Sequence, residues 1–251
     1  MSGQSRAGRA RLWAWIGGGV LASGIIAIGI SVAVNQGSPE APGANPTGTP
    51  TSDPSTSPPA TAGPTAPSGD VVDASVTEYG WIAEPITTDP DLYIRAALAA
   101  ASTFDTQRST RDAWLAHLDT WFTPDTRYAT EIDRQEVLVG SKLELRQAVV
   151  LPQQEWDSLA LEKGRVSATA EGEISFTEVP DDASGAMRIG TADVVLTFTR
   201  ADGTGAEHSF DETVRVSVQV LCGPGSIPTP DSAQEAGDCK VVRFFAEPME
   251  P

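Results

Sequence analysis

The run from Leu12 to Val34, LWAWIGGGVLASGIIAIGISVAV, contains no charged residue. As a helix rising about 1.5 Å per residue it is long enough to cross a ~30 Å hydrocarbon core. Lipid leaves the backbone no hydrogen-bond partner but itself, so a helix is what such a run must form there. Arg6, Arg9 and Arg11 precede it with no acidic residue among them. The positive-inside tendency therefore keeps residues 1–11 in the cytoplasm and sends the rest of the chain outside. Trp13 and Trp15 then fall at the cytoplasmic interface. The competing reading is a signal peptide cleaved near the small residues Ser31-Val32-Ala33. The run is longer than the ~7–15 residues of an h-region, which favours a retained single-pass anchor over 12–34.

From Asn35 to Gly69 the composition changes abruptly, with nine prolines and no aromatic residue, Val, Ile or Leu. Nothing in that stretch can be buried to offset ordering entropy, so residues 35–69 are expected to form a disordered tether. Its prolines bias it toward polyproline II, with a maximum reach on the order of 100 Å. Pro beside Ser and Thr also suits O-glycosylation.

The whole chain carries 17 basic and 34 acidic residues, a net charge of −17. Residues 1–69 hold three Arg against Glu40 and Asp53, so 14 basic and 32 acidic side chains remain, a charge of −18. No basic stripe is available to displace phosphate counterions, so nucleic acid is not an expected partner. An acidic, well-solvated surface repelled by anionic lipid is.

Residues 70–251 have the size of one ordinary domain. Val71–Ile86 reads as an irregular or extended lead-in. Asp89 then caps a helix with Pro90 at its first position. Tyr93, Ala97, Ala100 and Phe104 recur along it at helical spacing. Ser109-Thr110-Arg111-Asp112 opens a second helix, whose buried stripe is Trp114, Leu118 and Trp121. After Gly140 the period changes to two: Leu143, Leu145 and Val149 are expected in a first strand ending near Pro152, followed by a brief connector at Trp156–Leu161. Val166, Ala168, Ala170, Ile174 and Phe176 alternate with Ser167, Thr169, Glu171, Glu173 and Thr177 in a second strand. Met187–Arg200, Phe210–Leu221 and Cys239–Phe245 complete the set, with a turn at Asp202-Gly203. The expectation is α+β, with N-terminal helices packed on a curved antiparallel sheet.

Cys222 ends one strand and Cys239 begins the next, so antiparallel neighbours would bring them together at the mouth of a Pro/Gly-rich loop. Outside the cytoplasm a disulfide persists there. Free thiols are the alternative, and a metal site lacks nearby His partners.

Chemistry is sparse. His117 and His208 are the two histidines, and both read as half-exposed element residues. No G-x-S-x-G elbow precedes a helix. Glu171 and Glu173 share a strand face, but it is the polar one. Asp181-Asp182 and Asp202-Gly203-Thr204-Gly205 lack the ligand count of a calcium loop. No glycine-rich phosphate cradle follows a strand. No catalytic residue, metal or cofactor is expected, and the chain reads as a non-enzyme.

The anchor, the Pro/Thr tether, the Ala-rich helix with Phe104, the helix DAWLAHLDTWF (Asp112 to Phe122) and the long antiparallel strands together resemble the cone-shaped nuclear-transport-factor-two-like fold. The resemblance covers Asp89 to Phe245. Extracytoplasmic domains of this layout are similar to assembly components of conjugation and type IV secretion systems, and to membrane proteins associated with mammalian-cell-entry transporters. The resemblance implies a non-catalytic scaffold that self-associates or docks other envelope proteins. The alternative it implies is a small-molecule or lipid-binding module using the mouth of the cone.

Overall fold

A computed structural model describes Asp70 to Met249; the expected tail, anchor and tether lie outside the described residues. The lead-in is irregular: its two ends pair through an antiparallel bridge between Val71 and Pro85, with a helical turn between them. Asp73 accepts from the Ser75 amide and caps a 3-10 helix, Ala74–Tyr79, which Gly80 ends in the left-handed region at φ 79°. A Cβ at Gly80 would also fall 2.7 Å from that of Asp105.

Helix α1 (Pro90–Ala100) begins as its sequence dictates, with Asp89 accepting from the amides of Asp91 and Leu92 and Pro90 in the first turn. It stops before Phe104. Thr103 turns its hydroxyl back to the Ala99 carbonyl and accepts from the Ala168 amide. Phe104 thus leaves the helix and joins β1 (Phe104–Asp105), opposite Val166. Helix α2 (Arg111–Asp119) is capped by Thr110 and buries Trp114, Leu115 and Leu118.

The expected strand at Leu143, Leu145 and Val149 is absent. That stretch belongs to helix α3 (Glu131–Glu144), capped by Thr130 with Glu131 and Asp133 in its first turn, and to a wider π turn at Leu145–Val149. Acidic residues at a helix N-terminus complement its dipole. The alternation of Leu143 with Leu145 imitates a strand, but Leu145 is fully buried while Leu143 is 49% exposed. The true inward positions are Leu138, Ser141 and Leu145, spaced by three and four residues. The connector is a helix, α4 (Gln153–Leu161).

Four further strands follow: β2 (Arg165–Glu178), β3 (Met187–Ala201), β4 (Glu207–Leu221) and β5 (Lys240–Phe245). They form one antiparallel sheet in sequence order from β1 to β5. Alternation in β2 breaks where its register shifts between Glu171 and Ser175, around Gly172 at φ 68°. Beyond that bulge Phe176 is 43% exposed, contrary to the inward position its parity suggests. Bulges bend the strand that carries them.

One face of the sheet carries Val166, Val194 and Val218 against α1 and α2, and Phe104, Trp114 and Trp156 cluster at centroid distances of 4.3–5.6 Å. Gly190 lets α1 close in, since a Cβ there would fall 2.6 Å from Ile94 Cδ1. On the other face Met187, Ile189, Leu221 and Val242 form a smaller core. There the C-terminal segment lies against the sheet: the Met249 amide donates to Ser217 Oγ, and Thr191 donates to the Met249 carbonyl. The architecture is α+β, with helices on a curled five-stranded antiparallel sheet.

Candidate functional site

Two of the cavities among the described residues bear on function. The first, of about 410 Å³, lies between the end of α1, the loop after the π turn and the far parts of β3 and β4. Leu98, Val149, Leu196, Phe198 and Val214 give it an apolar lining, and Glu212 and Arg215 also contribute. Arg215 pairs with Asp193 at 2.9 Å. An interior of this kind accepts apolar chain.

The second, about 280 Å³, is bounded by Asp73, Glu84, His117 and the loop residues Thr229 and Ser232. Beneath it Glu84 and Lys240, each 1% exposed, form an ion pair at 2.7 Å. Glu84 also accepts from Tyr93 Oη at 2.6 Å and from Gln234 Nε2 at 3.2 Å. Lys240 donates to the Thr120 carbonyl and to Thr229 Oγ1, each at 2.7 Å. Burial holds the Lys240 ammonium below the usual lysine range, against the pull of Glu84. Burial, then the Glu84 charge, pushes the Tyr93 phenol well above its ordinary value. A buried pair is tolerable only when its remaining donors and acceptors are met, and this one is closed by partners on every side. Its geometry is that of a clamp: it ties the lead-in (Glu84), α1 (Tyr93), the end of α2 (Thr120), β5 (Lys240) and the loop after β4 (Thr229, Gln234).

The same loop is closed covalently. Cys222 and Cys239 form a disulfide, their Cα atoms 4.0 Å apart. The sequence points to the two thiols but not to the ion pair. One signal was present: Lys240 is a cation inside the otherwise apolar run Cys239–Val242.

His117 is half-buried on α2. Its Nε2 lies 3.0 Å from the Ile82 carbonyl and its ring stacks on Trp81 at 5.1 Å. Burial lowers its pKa, while the Ile82 carbonyl and the Asp73 charge pull it up. His208 stands in the open at the start of β4, 3.3 Å from Asp202 Oδ2. Glu171 and Glu173 are exposed on the β2 bulge. The structure brings none of these together, and among the described residues no group of His, Cys, Asp and Glu could hold a metal ion.

Two surface features stand apart. On α3, Ile132, Val139 and Leu143 are 72%, 65% and 49% exposed on one stripe. On the sheet, β5 covers β4 only over Ser217–Leu221. Among the described residues no strand lies on the side of Glu207–Thr213 away from β3, and all seven are exposed. The length mismatch of the last two strands is visible in the sequence, and it is the signal for that edge.

No family model matches the chain, and no curated protein matches it either. Solved structures do. An IcmL-like type IV secretion system protein from Legionella pneumophila is 13% identical over 62% of this chain and 88% of its own, at a TM-score of 0.35. CagV, a VirB8 homolog of the type IV secretion system from Helicobacter pylori, is 14% identical over 59% and 89%, at 0.32. The periplasmic domain of DotI is 15% identical over 62% and 90%, at 0.35. At these scores the likeness assigns no role to any residue of this chain.

Proposed function

We propose that this chain is a single-pass, non-catalytic scaffold of a bacterial cell-envelope transfer complex of the conjugative, type IV secretion kind, its folded domain held outside the membrane. The observation that carries the reading is the Cys222–Cys239 cystine in a chain whose charge-free run Leu12–Val34 follows a basic tail. Disulfides persist outside the reducing cytoplasm, so both features point to the same side of a bilayer. The exposed α3 stripe and the bare stretch of β4 suit contacts with proteins rather than chemistry on a small substrate.

The test is made in the producing bacterium with the full chain. Reporter fusions at the C-terminus should be active only outside the cytoplasm, and cross-linking in intact membranes should recover other envelope proteins. A cytoplasmic C-terminus, or a chain that never cross-links to an envelope protein, overturns the proposal.

The 410 Å³ apolar cavity favours a second reading, a lipid- or small-molecule-binding module of the kind associated with a mammalian-cell-entry type transporter. It predicts a stoichiometric apolar ligand in mass spectra of the purified chain, lost on Val214→Trp. An empty chain under those conditions removes it.

A further inference from the structure

The stretch Glu207–Thr213 of β4 pairs with β3 on one side, and on the other its backbone donors and acceptors have no neighbouring strand among the described residues. Such an edge is a template for another strand. The occupant follows from its side chains. Successive residues point to opposite faces, so a strand added antiparallel must match face to face, and permissible registers differ by steps of two residues.

We propose that the occupant is the same stretch of a second copy, paired about a two-fold axis at Phe210. In that register His208 faces the partner copy's Glu212, Ser209 faces its Asp211, and Glu207 faces its Thr213. No two like charges are opposed. Sliding the copies one step inward sets Asp211 against Asp211, and the next step sets Glu212 against Glu212. That second step also runs the partner's Glu207 into the position opposite Ser217, which Phe245 already fills. One step outward opposes Glu207 and Asp211. Like charges directly opposite destabilise a strand pair, so the acidic residues of the edge select a single arrangement. Glu207 keeps its own salt bridge to Arg165 there, at 2.7 Å.

The apolar part of the fit is Phe210. It is 49% exposed and lies on Phe198, the residue opposite it on β3, with ring planes 6° apart and centroids 5.0 Å apart. At the axis the two Phe210 rings would meet, giving a row of four phenylalanines across two sheets joined as one. Isologous contact of this kind closes on itself at two copies.

The proposal deepens the scaffold reading, but a chain with other envelope partners and no self-pairing would leave that reading standing. The experiment is sedimentation of the full chain in mild detergent, with His208→Glu and the double variant His208→Glu, Glu212→Lys compared, and circular dichroism on each. Wild type should dimerise. His208→Glu places like charges in both symmetry-related pairs and should weaken the dimer about tenfold, while adding Glu212→Lys sets opposite charges there and should return the constant to near that of wild type. In the full chain Phe210→Cys should form a covalent dimer on mild oxidation, and Glu171→Cys, on the distant bulge, should not. A monomeric wild type, or a His208→Glu variant that dimerises as well as wild type, overturns the proposal. So does a double variant no better than His208→Glu alone.

Discussion

Lys240 sits where its strand neighbours are apolar, and it is held there by Glu84, Thr120, Thr229 and Gln234. Removing one member of such a pair strands the other charge in a dry place. Lys240→Met should therefore cost about 3–5 kcal/mol in urea unfolding. Adding Glu84→Gln to that variant should recover much of the loss; if the double is no more stable than the single, the cost lies in packing and not in charge. His117 gives a second expectation. Its folded pKa is depressed below that of the unfolded chain, so the unfolded state binds the extra proton. Stability is fully present above about pH 6.5 and falls as pH drops below it toward the folded pKa. Melting curves between pH 7.5 and 5.5 should show that fall in wild type and a flatter profile in His117→Gln.

The elements show why some of the fold could be read and some could not. Local signals were legible: the Asp89 cap and the strand alternation of β3 and β4 act within a few residues of themselves, and the opening Ser109-Thr110-Arg111-Asp112 marks the start of α2 without singling out Thr110 as its cap. Misreadings arose where a tertiary contact decided. Phe104 obeys the helical period but is drawn into β1 by pairing with Val166. Leu143 and Leu145 mimic a strand, although only the second faces the core. Leu145→Ala should cost about 2–5 kcal/mol, as for a filled core site. Leu143→Ala should stay within about 0.5 kcal/mol. Equal costs at both positions would return the stretch to a strand. The buried pair was illegible for a different reason: Glu84 and Lys240 are 156 positions apart, and no periodicity links residues at such a distance.

For the molecule as a whole, the loop between β4 and β5 ties the lead-in to the last strand through Glu84 and Lys240. The disulfide spans a sequence separation of 17, and in the chain-entropy picture closing such a loop contributes about 3 kcal/mol. Reduction should lower the urea midpoint accordingly without changing the far-ultraviolet spectrum of the folded state. A reduced chain with an unchanged midpoint would mean that the clamp alone sets the loop. The two fastenings are also ordered in consequence. Until Thr229 and Gln234 arrive over Lys240, the ammonium lacks two of its four hydrogen-bond acceptors, and water would have to stand in for them. A newly made molecule with everything else in place but that strap still open would keep a wet notch beside its α1–α2 corner, and the last event of its maturation would be the drying of that notch as the cystine locks.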